Sequence, residues 1–190
     1  MTTERSDREL WTTSSFGELF DRHAKAVYNH CFRLTASWLA AEDHVQTTFL
    51  LAWRKRASVR LQRESALPWL LAVATNVVRN DRRTAVRRQR LANRLPAEQA
   101  APDHADDVAG RVDDERRMAL VLATVDRLPR AQRDALALCV WSGVSYPDAA
   151  AVLGIAEGSV RARVSKAKTR LSQLLGHDPM TVLSGTREGR

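Results

Sequence analysis

The stretch SYPDAAAVLGIAEGSVRARVSKAKTRL, Ser145 to Leu171, decides how the chain is read. Ser145 has the chemistry of a helix N-cap, and Asp148 sits three positions on, where a capping partner belongs. Ala150 is small, as a residue must be where two helices cross closely. Gly154 falls at the turn, where a positive φ costs glycine little. Ile155 and Val160 are branched residues placed to plug the gap between the helices. Cap, small residue, turn glycine and plug at these offsets make a DNA-binding helix-turn-helix.

The second helix of that unit, from about Glu157 to Leu175, is two-sided. Val160, Val164, Ala167, Leu171 and Leu174 share one stripe, and Ser159, Arg163, Lys166 and Arg170 share another. A basic stripe beside a buried one suits a helix seated in a major groove. Glu157, Ser159, Arg161 and Arg163, at its start, face base edges on this reading, while Lys166 and Arg170 hold phosphate. Arginine pairs two-pronged with guanine, and a glutamate accepts from cytosine. An ordinary helical hairpin with a solvated basic face is the bland alternative.

Outward from this unit the chain stays helical. It has 190 residues and a net charge of +8, with 30 Lys and Arg against 22 Asp and Glu, so a polyanionic partner is expected. Alanine, leucine and arginine favour helix, and no strand pattern stands out. The charge is uneven: residues 1–90 and 116–175 are basic in balance, and residues 91–115 are acidic. The acidic stretch holds LPAEQAAPDHADDVAG and reads as a flexible linker. A capped surface loop inside one domain stays open as an alternative. The expected fold is therefore all-α: two small helical domains, residues 12–90 and 114–176, joined by a tether over 91–113, with a loose tail from 177.

In the first domain Ser15 to Glu18 fits a capping box, and Phe16, Leu19, Phe20, His23, Val27, Cys31 and Leu34 follow at helical spacing. A second helix is expected from about Ala40, its buried stripe formed by Ala41, Val45, Thr48, Phe49, Ala52 and Trp53. Asp43, Gln46, Thr47 and Leu50 lie on its opposite face, where an exposed leucine among polar groups points to a partner surface. A third helix begins at Pro68 and carries Asn76 and Asn80 one turn apart, with arginines thickening towards its end. Amides there can read bases while arginines hold phosphate. A solvated basic helix end is the plainer possibility. The second domain is expected to open with helices over about Asp114–Val125 and Arg130–Val140.

Four segments in this order carry a family resemblance: AEDHVQTTFLLAW (Ala41–Trp53), PWLLAVATNVVRNDRR (Pro68–Arg83), LPRAQRDAL (Leu128–Leu136) and YPDAAAVLGIAEGSVRAR (Tyr146–Arg163). Together they resemble bacterial RNA polymerase sigma factors, and the short length fits the extracytoplasmic-function class. The resemblance implies that Asp43, Gln46, Thr47 and Leu50 dock on the β′ clamp of core polymerase. Thr47 stands where many members carry glutamate. It implies that the loop Arg54–Ser65, with Arg56 and Arg60, captures a flipped base of the promoter −10 element. Asn76, Arg79, Asn80 and Arg83 would read or hold the same element. The helix-turn-helix, through Glu157, Ser159, Arg161, Arg163, Lys166 and Arg170, would read the −35 element, and the polymerase β flap and an anti-sigma protein are further implied partners.

Other functions have less to stand on. A stand-alone helix-turn-helix regulator would need a dimer surface for paired half-sites. A metal-dependent nuclease would need Asp106, Asp107, Asp113 and Asp114 as ligands, and these fall largely in the expected tether. There is no nucleophile elbow and no glycine-rich phosphate loop. No catalytic residue, metal, cofactor, small-molecule substrate or membrane insertion is expected, and the place of action is the cytoplasm. Cys31 and Cys139 have no ligand spacing and read as buried thiols, with a redox link between the domains as the alternative.

Overall fold

The computed structural model describes residues 13–56, 65–92 and 109–175. They form seven α-helices: α1 (Thr13–Thr35), α2 (Trp38–Lys55), α3 (Leu67–Ala92), α4 (Ala109–Val125), α5 (Arg130–Leu136), α6 (Tyr146–Leu153) and α7 (Glu157–Leu175). A single π-helical turn, Ala137–Trp141, continues α5. No strand occurs among the described residues.

Helices α1, α2 and α3 pack against one another as a bundle. Their apolar stripes meet in a core of Leu19, Val27, Cys31, Val45, Phe49, Ala52, Leu70, Leu71, Ala74 and Val78. Burial of such side chains contributes about 1.5–3 kcal/mol each. The α1–α2 corner is tight. Ala36 takes φ 54, the left-handed conformation that usually falls to glycine, and its N–H bonds the Phe32 carbonyl at 2.7 Å. Ser37 then caps α2, its side chain accepting from the Ala40 N–H. Trp38, just past the corner, stacks on Phe32 with ring centroids 3.5 Å apart.

Helix starts depart from the sequence expectations. α1 begins at Thr13, so Ser15 lies inside the helix and does not cap it. α2 begins two residues before Ala40, after a serine cap that the apolar period alone does not reveal. α4 begins at Ala109, which takes the last part of the expected tether, including Asp113, into a helix. Phe20, placed on the buried stripe of α1, is 41% exposed and leans edge-on against Phe49 with centroids 4.8 Å apart.

In the second half α5 and α7 pack together, with α6 and α4 against α7. Met118, Leu122, Val125, Leu136, Leu138, Val160, Val164 and Leu171 fill this core. The two halves are not independent bodies. α1 packs on α4 and on the π turn, and α3 packs on α6.

Candidate nucleic-acid interface

The helix-turn-helix forms through local chemistry. The Ser145 side chain accepts from the Asp148 N–H at 3.2 Å, and its hydroxyl donates to the Asp148 carboxylate at 2.5 Å. The cap is thus a serine–aspartate pair closed through side chains. Gly154 ends α6 at φ 66 and ψ 38, with its N–H on the Ala150 carbonyl. The Ile155 N–H bonds the same carbonyl at 3.1 Å, so Ala150 anchors the whole turn. Ile155 packs against the core and Val160 is fully buried.

α7 hangs its outer face on that base. Val160, Val164, Ala167 and Leu171 are buried, while Ser159, Arg161, Lys166 and Arg170 are exposed and Arg163 is half-buried. Glu157 and Arg161, both expected at base edges, pair with each other at 2.8 Å one turn apart. The Arg161 guanidinium also lies 5.2 Å from the centroid of the Tyr146 ring. Carboxylate and ring hold the arginine near the start of α7 before any DNA is present. Such an exposed pair is weak, about 0.3–0.5 kcal/mol, so it restrains the side chain only loosely.

α2 presents Asp43, Gln46, Thr47 and Leu50 in one exposed row, Leu50 being 51% exposed. Behind that row Val45, Thr48, Phe49 and Ala52 are buried. Arg56, just past α2, lies over the Trp53 ring at 3.7 Å and donates to the Trp53 carbonyl at 2.8 Å. Arg60 and the rest of the loop over 57–64 lie outside the described residues.

On α3, Asn76, Asn80 and Arg83 are exposed, but Arg79 is engaged. Its guanidinium donates to Asp134 of α5 at 3.4 Å. Burial and the neighbouring Arg130 lower its pKa against the opposing pull of Asp134. Arg82 is engaged likewise, on Asp126 at 3.2 Å and on the Leu34 carbonyl. A cleft of about 650 Å³ opens along this seam, walled by the arginines of α3 on one side and by Leu122, Asp126 and Asp134 on the other.

Sequence reasoning missed the seam. At its centre His30 is fully buried, with Nδ1 bonded to the Ser142 hydroxyl at 2.7 Å and Nε2 to the Thr75 hydroxyl at 2.9 Å. Burial first, and the Arg33 charge second, push its pKa down to about 3, so the ring is neutral. Arg33 donates to the Trp141 carbonyl, and the Trp38 N–H bonds Glu115 at 2.8 Å. A histidine beside an apolar stripe was the one available signal. Burial raises the Cys31 thiol to about 12 and the Cys139 thiol to about 11, and both cysteines are free. No group of three or more His, Cys, Asp or Glu that could hold a metal occurs among the described residues. No described helix is long and apolar enough to cross a membrane.

Two family models match the chain: sigma-70 region 2 over residues 19–108 and sigma-70 region 4 over residues 118–171. The ECF RNA polymerase sigma factor SigE of Mycolicibacterium smegmatis is 32% identical over 167 residues, covering 85% of this chain and 62% of that protein. The ECF RNA polymerase sigma factor SigM of Mycobacterium tuberculosis is 31% identical over 180 residues, covering 92% and 87%. The RNA polymerase sigma factor NccH of Alcaligenes xylosoxydans xylosoxydans is 30% identical, covering 85% and 87%. Among solved structures, the sigma factor RpoE in complex with the anti-sigma factor NepR from Bartonella quintana matches with a TM-score of 0.62 and 28% identity, over 86% of this chain and 98% of that one. CnrH in complex with the cytosolic domain of CnrY matches with a TM-score of 0.64 and 26% identity, over 90% and 97%.

Proposed function

The chain belongs to the extracytoplasmic-function RNA polymerase sigma factors, and from that premise we propose that it binds core polymerase in the cytoplasm, as a non-catalytic subunit, and directs it to promoters with two separate readers. The observation that carries this reading is the α6–Gly154–α7 unit, whose buried stripe leaves Arg161, Lys166 and Arg170 exposed on the outside. In this reading α7 enters the major groove of the −35 element. Glu157, Ser159, Arg161 and Arg163 meet base edges, and Lys166 and Arg170 hold phosphate.

The first reader is residues 12–90. Asp43, Gln46, Thr47 and Leu50 form the docking row for the β′ clamp. Arg56, Arg60, Asn76, Arg79, Asn80 and Arg83 take the −10 element once it is opened. Unstacking a base costs a few kcal/mol, and amide and guanidinium groups on α3 offset part of that cost. Residues 114–176 form the second reader, with the polymerase β flap as its further partner, and residues 91–113 connect the two. An anti-sigma protein is a fitting regulator, since the similar sigma factors RpoE and CnrH were each solved in complex with a second protein, named for RpoE as an anti-sigma factor.

Transcription in vitro tests the proposal. Core polymerase is incubated on a genomic library of the source organism with and without the protein, and start sites are mapped. Protein-dependent starts sharing two spaced upstream elements are expected. A chain that never associates with core, or starts with no shared elements, would reject it.

A further inference from the structure

The cleft of about 650 Å³ between α3 and the α4–α5 side has two kinds of lining. Buried Val78, Leu122 and Val125 give it an apolar floor, and Val86, 48% exposed, stands at its lip. The rest is cationic. Among the described residues that line it, seven arginines stand against two aspartates, a net charge of +5. An apolar hollow of about 300–1,000 Å³ with a few convergent polar groups is the common form of a small-molecule site.

The charges sort into two groups. Arg79 and Arg130 share Asp134, and Arg82 and Arg133 share Asp126. Two carboxylates thus already serve four guanidinium groups. Arg83, Arg87 and Arg90 come in addition, and all three are exposed. They follow Arg79 at intervals of three or four residues, so they run along one side of α3 over about 16 Å. The crowding acts on Arg79, whose pKa burial, Arg130 and Arg83 all lower while Asp134 opposes them. Like charges held this close repel, and an anion of several charges relieves them.

That excess selects the ligand. A single carboxylate on an alkyl chain covers the floor and leaves most of the charge unmet. A bare phosphate chain meets the charge and leaves the floor in water. A nucleoside triphosphate does both, because guanidinium groups grip phosphate with two parallel bonds and a flat base covers aliphatic surface and stacks on arginine.

We propose that this cleft is a binding site for a nucleoside triphosphate, with the phosphates on the Arg83, Arg87 and Arg90 row and on Arg130 across from it, and the base on the apolar floor. The site needs neither DNA nor polymerase, so it goes beyond the promoter-reading role.

Isothermal titration calorimetry on the full chain tests it, at an ionic strength of about 0.15 M. The probes are adenosine and guanosine triphosphate, inorganic tripolyphosphate, and deoxyadenosine monophosphate as the unit of a DNA strand. One nucleoside triphosphate should bind per chain, at least one of the two roughly tenfold more tightly than tripolyphosphate or the monophosphate. Arg87→Gln with Arg90→Gln, and separately Arg130→Gln, should each weaken it roughly tenfold. Arg116→Gln with Arg117→Gln, on exposed α4 outside the cleft, is the control and should bind as the wild type does. The nucleotide should raise the unfolding midpoint of the wild type and the control, and raise that of the cleft variants less. No binding of either triphosphate overturns the site. Equal binding of tripolyphosphate reduces it to a charge cluster, and equal binding of the monophosphate reduces it to a strand-holding face; each overturns the proposal. Control-like binding by either cleft variant overturns the placement. Failure of polymerase-dependent transcription would fall on the proposed function and leave these titrations standing.

Discussion

His30 and Ser142 lie 112 positions apart in sequence, and their side chains meet at 2.7 Å. The histidine uses its second ring nitrogen on Thr75, so one buried ring ties α1, α3 and the residue after the π turn. A buried polar group with both partners in place is stabilising, and with one removed it is costly. The ring therefore rewards closure of the seam and penalises partial opening.

That ring makes stability depend on pH. Its folded pKa of about 3 lies below its ordinary 6.5. Between those values the unfolded chain binds a proton that the folded one refuses, so stability rises with pH across that window. The contribution is complete above about 6.5 and drains away as pH falls towards 3. Thermal unfolding followed by circular dichroism from pH 4 to pH 8 should show the midpoint falling below pH 6.5. His30→Gln should show a lower plateau and a shallower fall, since every other titrating group is common to both. Parallel curves would remove His30 from the account.

Gly154 should resist replacement. Its φ of 66 is strained for any residue with a Cβ, although no atom lies within 4 Å of where that Cβ would sit. Gly154→Ala then costs backbone strain alone, about 1–2 kcal/mol, and lowers the unfolding midpoint by a few degrees. Gly158, inside α7, meets nothing within 4 Å and has no positive φ, so Gly158→Ala should stabilise the helix by about 1 kcal/mol. Equal effects at the two sites would contradict the turn geometry.

On α7, base readers and phosphate holders should separate in binding assays. Arg161→Ala and Arg163→Ala are expected to weaken duplex −35 binding by roughly 1–3 kcal/mol each and to relax preference at one or two base pairs. Lys166→Ala should weaken all sequences alike and reduce the salt slope by about one. Competition with a randomised duplex pool at two salt concentrations distinguishes them. An unchanged preference in Arg163→Ala would move that residue to the phosphate group.

The α2 row offers a clean separation of folding from docking. Asp43 and Gln46 are exposed, so the double alanine variant should keep its unfolding midpoint within about 0.5 kcal/mol of stability. Co-purification with core polymerase should drop sharply, with duplex binding by α7 intact. Normal assembly would free the row for another role.

What the sequence made legible was local. The bounds of α6 and α7 could be read because Ser145, Gly154 and the branched plugs act on neighbours a few residues away. The outward row on α2 followed from a 3.6-residue period. Helix starts were harder: Ser15 has a cap's chemistry but sits inside α1, because Thr13 and Ser14 are already helical. The seam was invisible for a different reason. Asp126 and Asp134 look like any two acids on basic helices, and nothing near them in sequence names Arg82 or Arg79 as partners. The acidic tether over 91–113 marked where one helical domain gives way to the next, but it carried no sign that α1 packs on α4 and α3 on α6.

One oxygen in that seam has an unusual duty. Oδ1 of Asp126 receives Arg82 from the first half at 3.2 Å and Arg133 from the second at 2.7 Å. Two cations of opposite allegiance are reconciled by one atom. Take its charge away and what faces across the boundary is guanidinium against guanidinium, so a change of one side chain reverses the sign of the local force instead of merely weakening it.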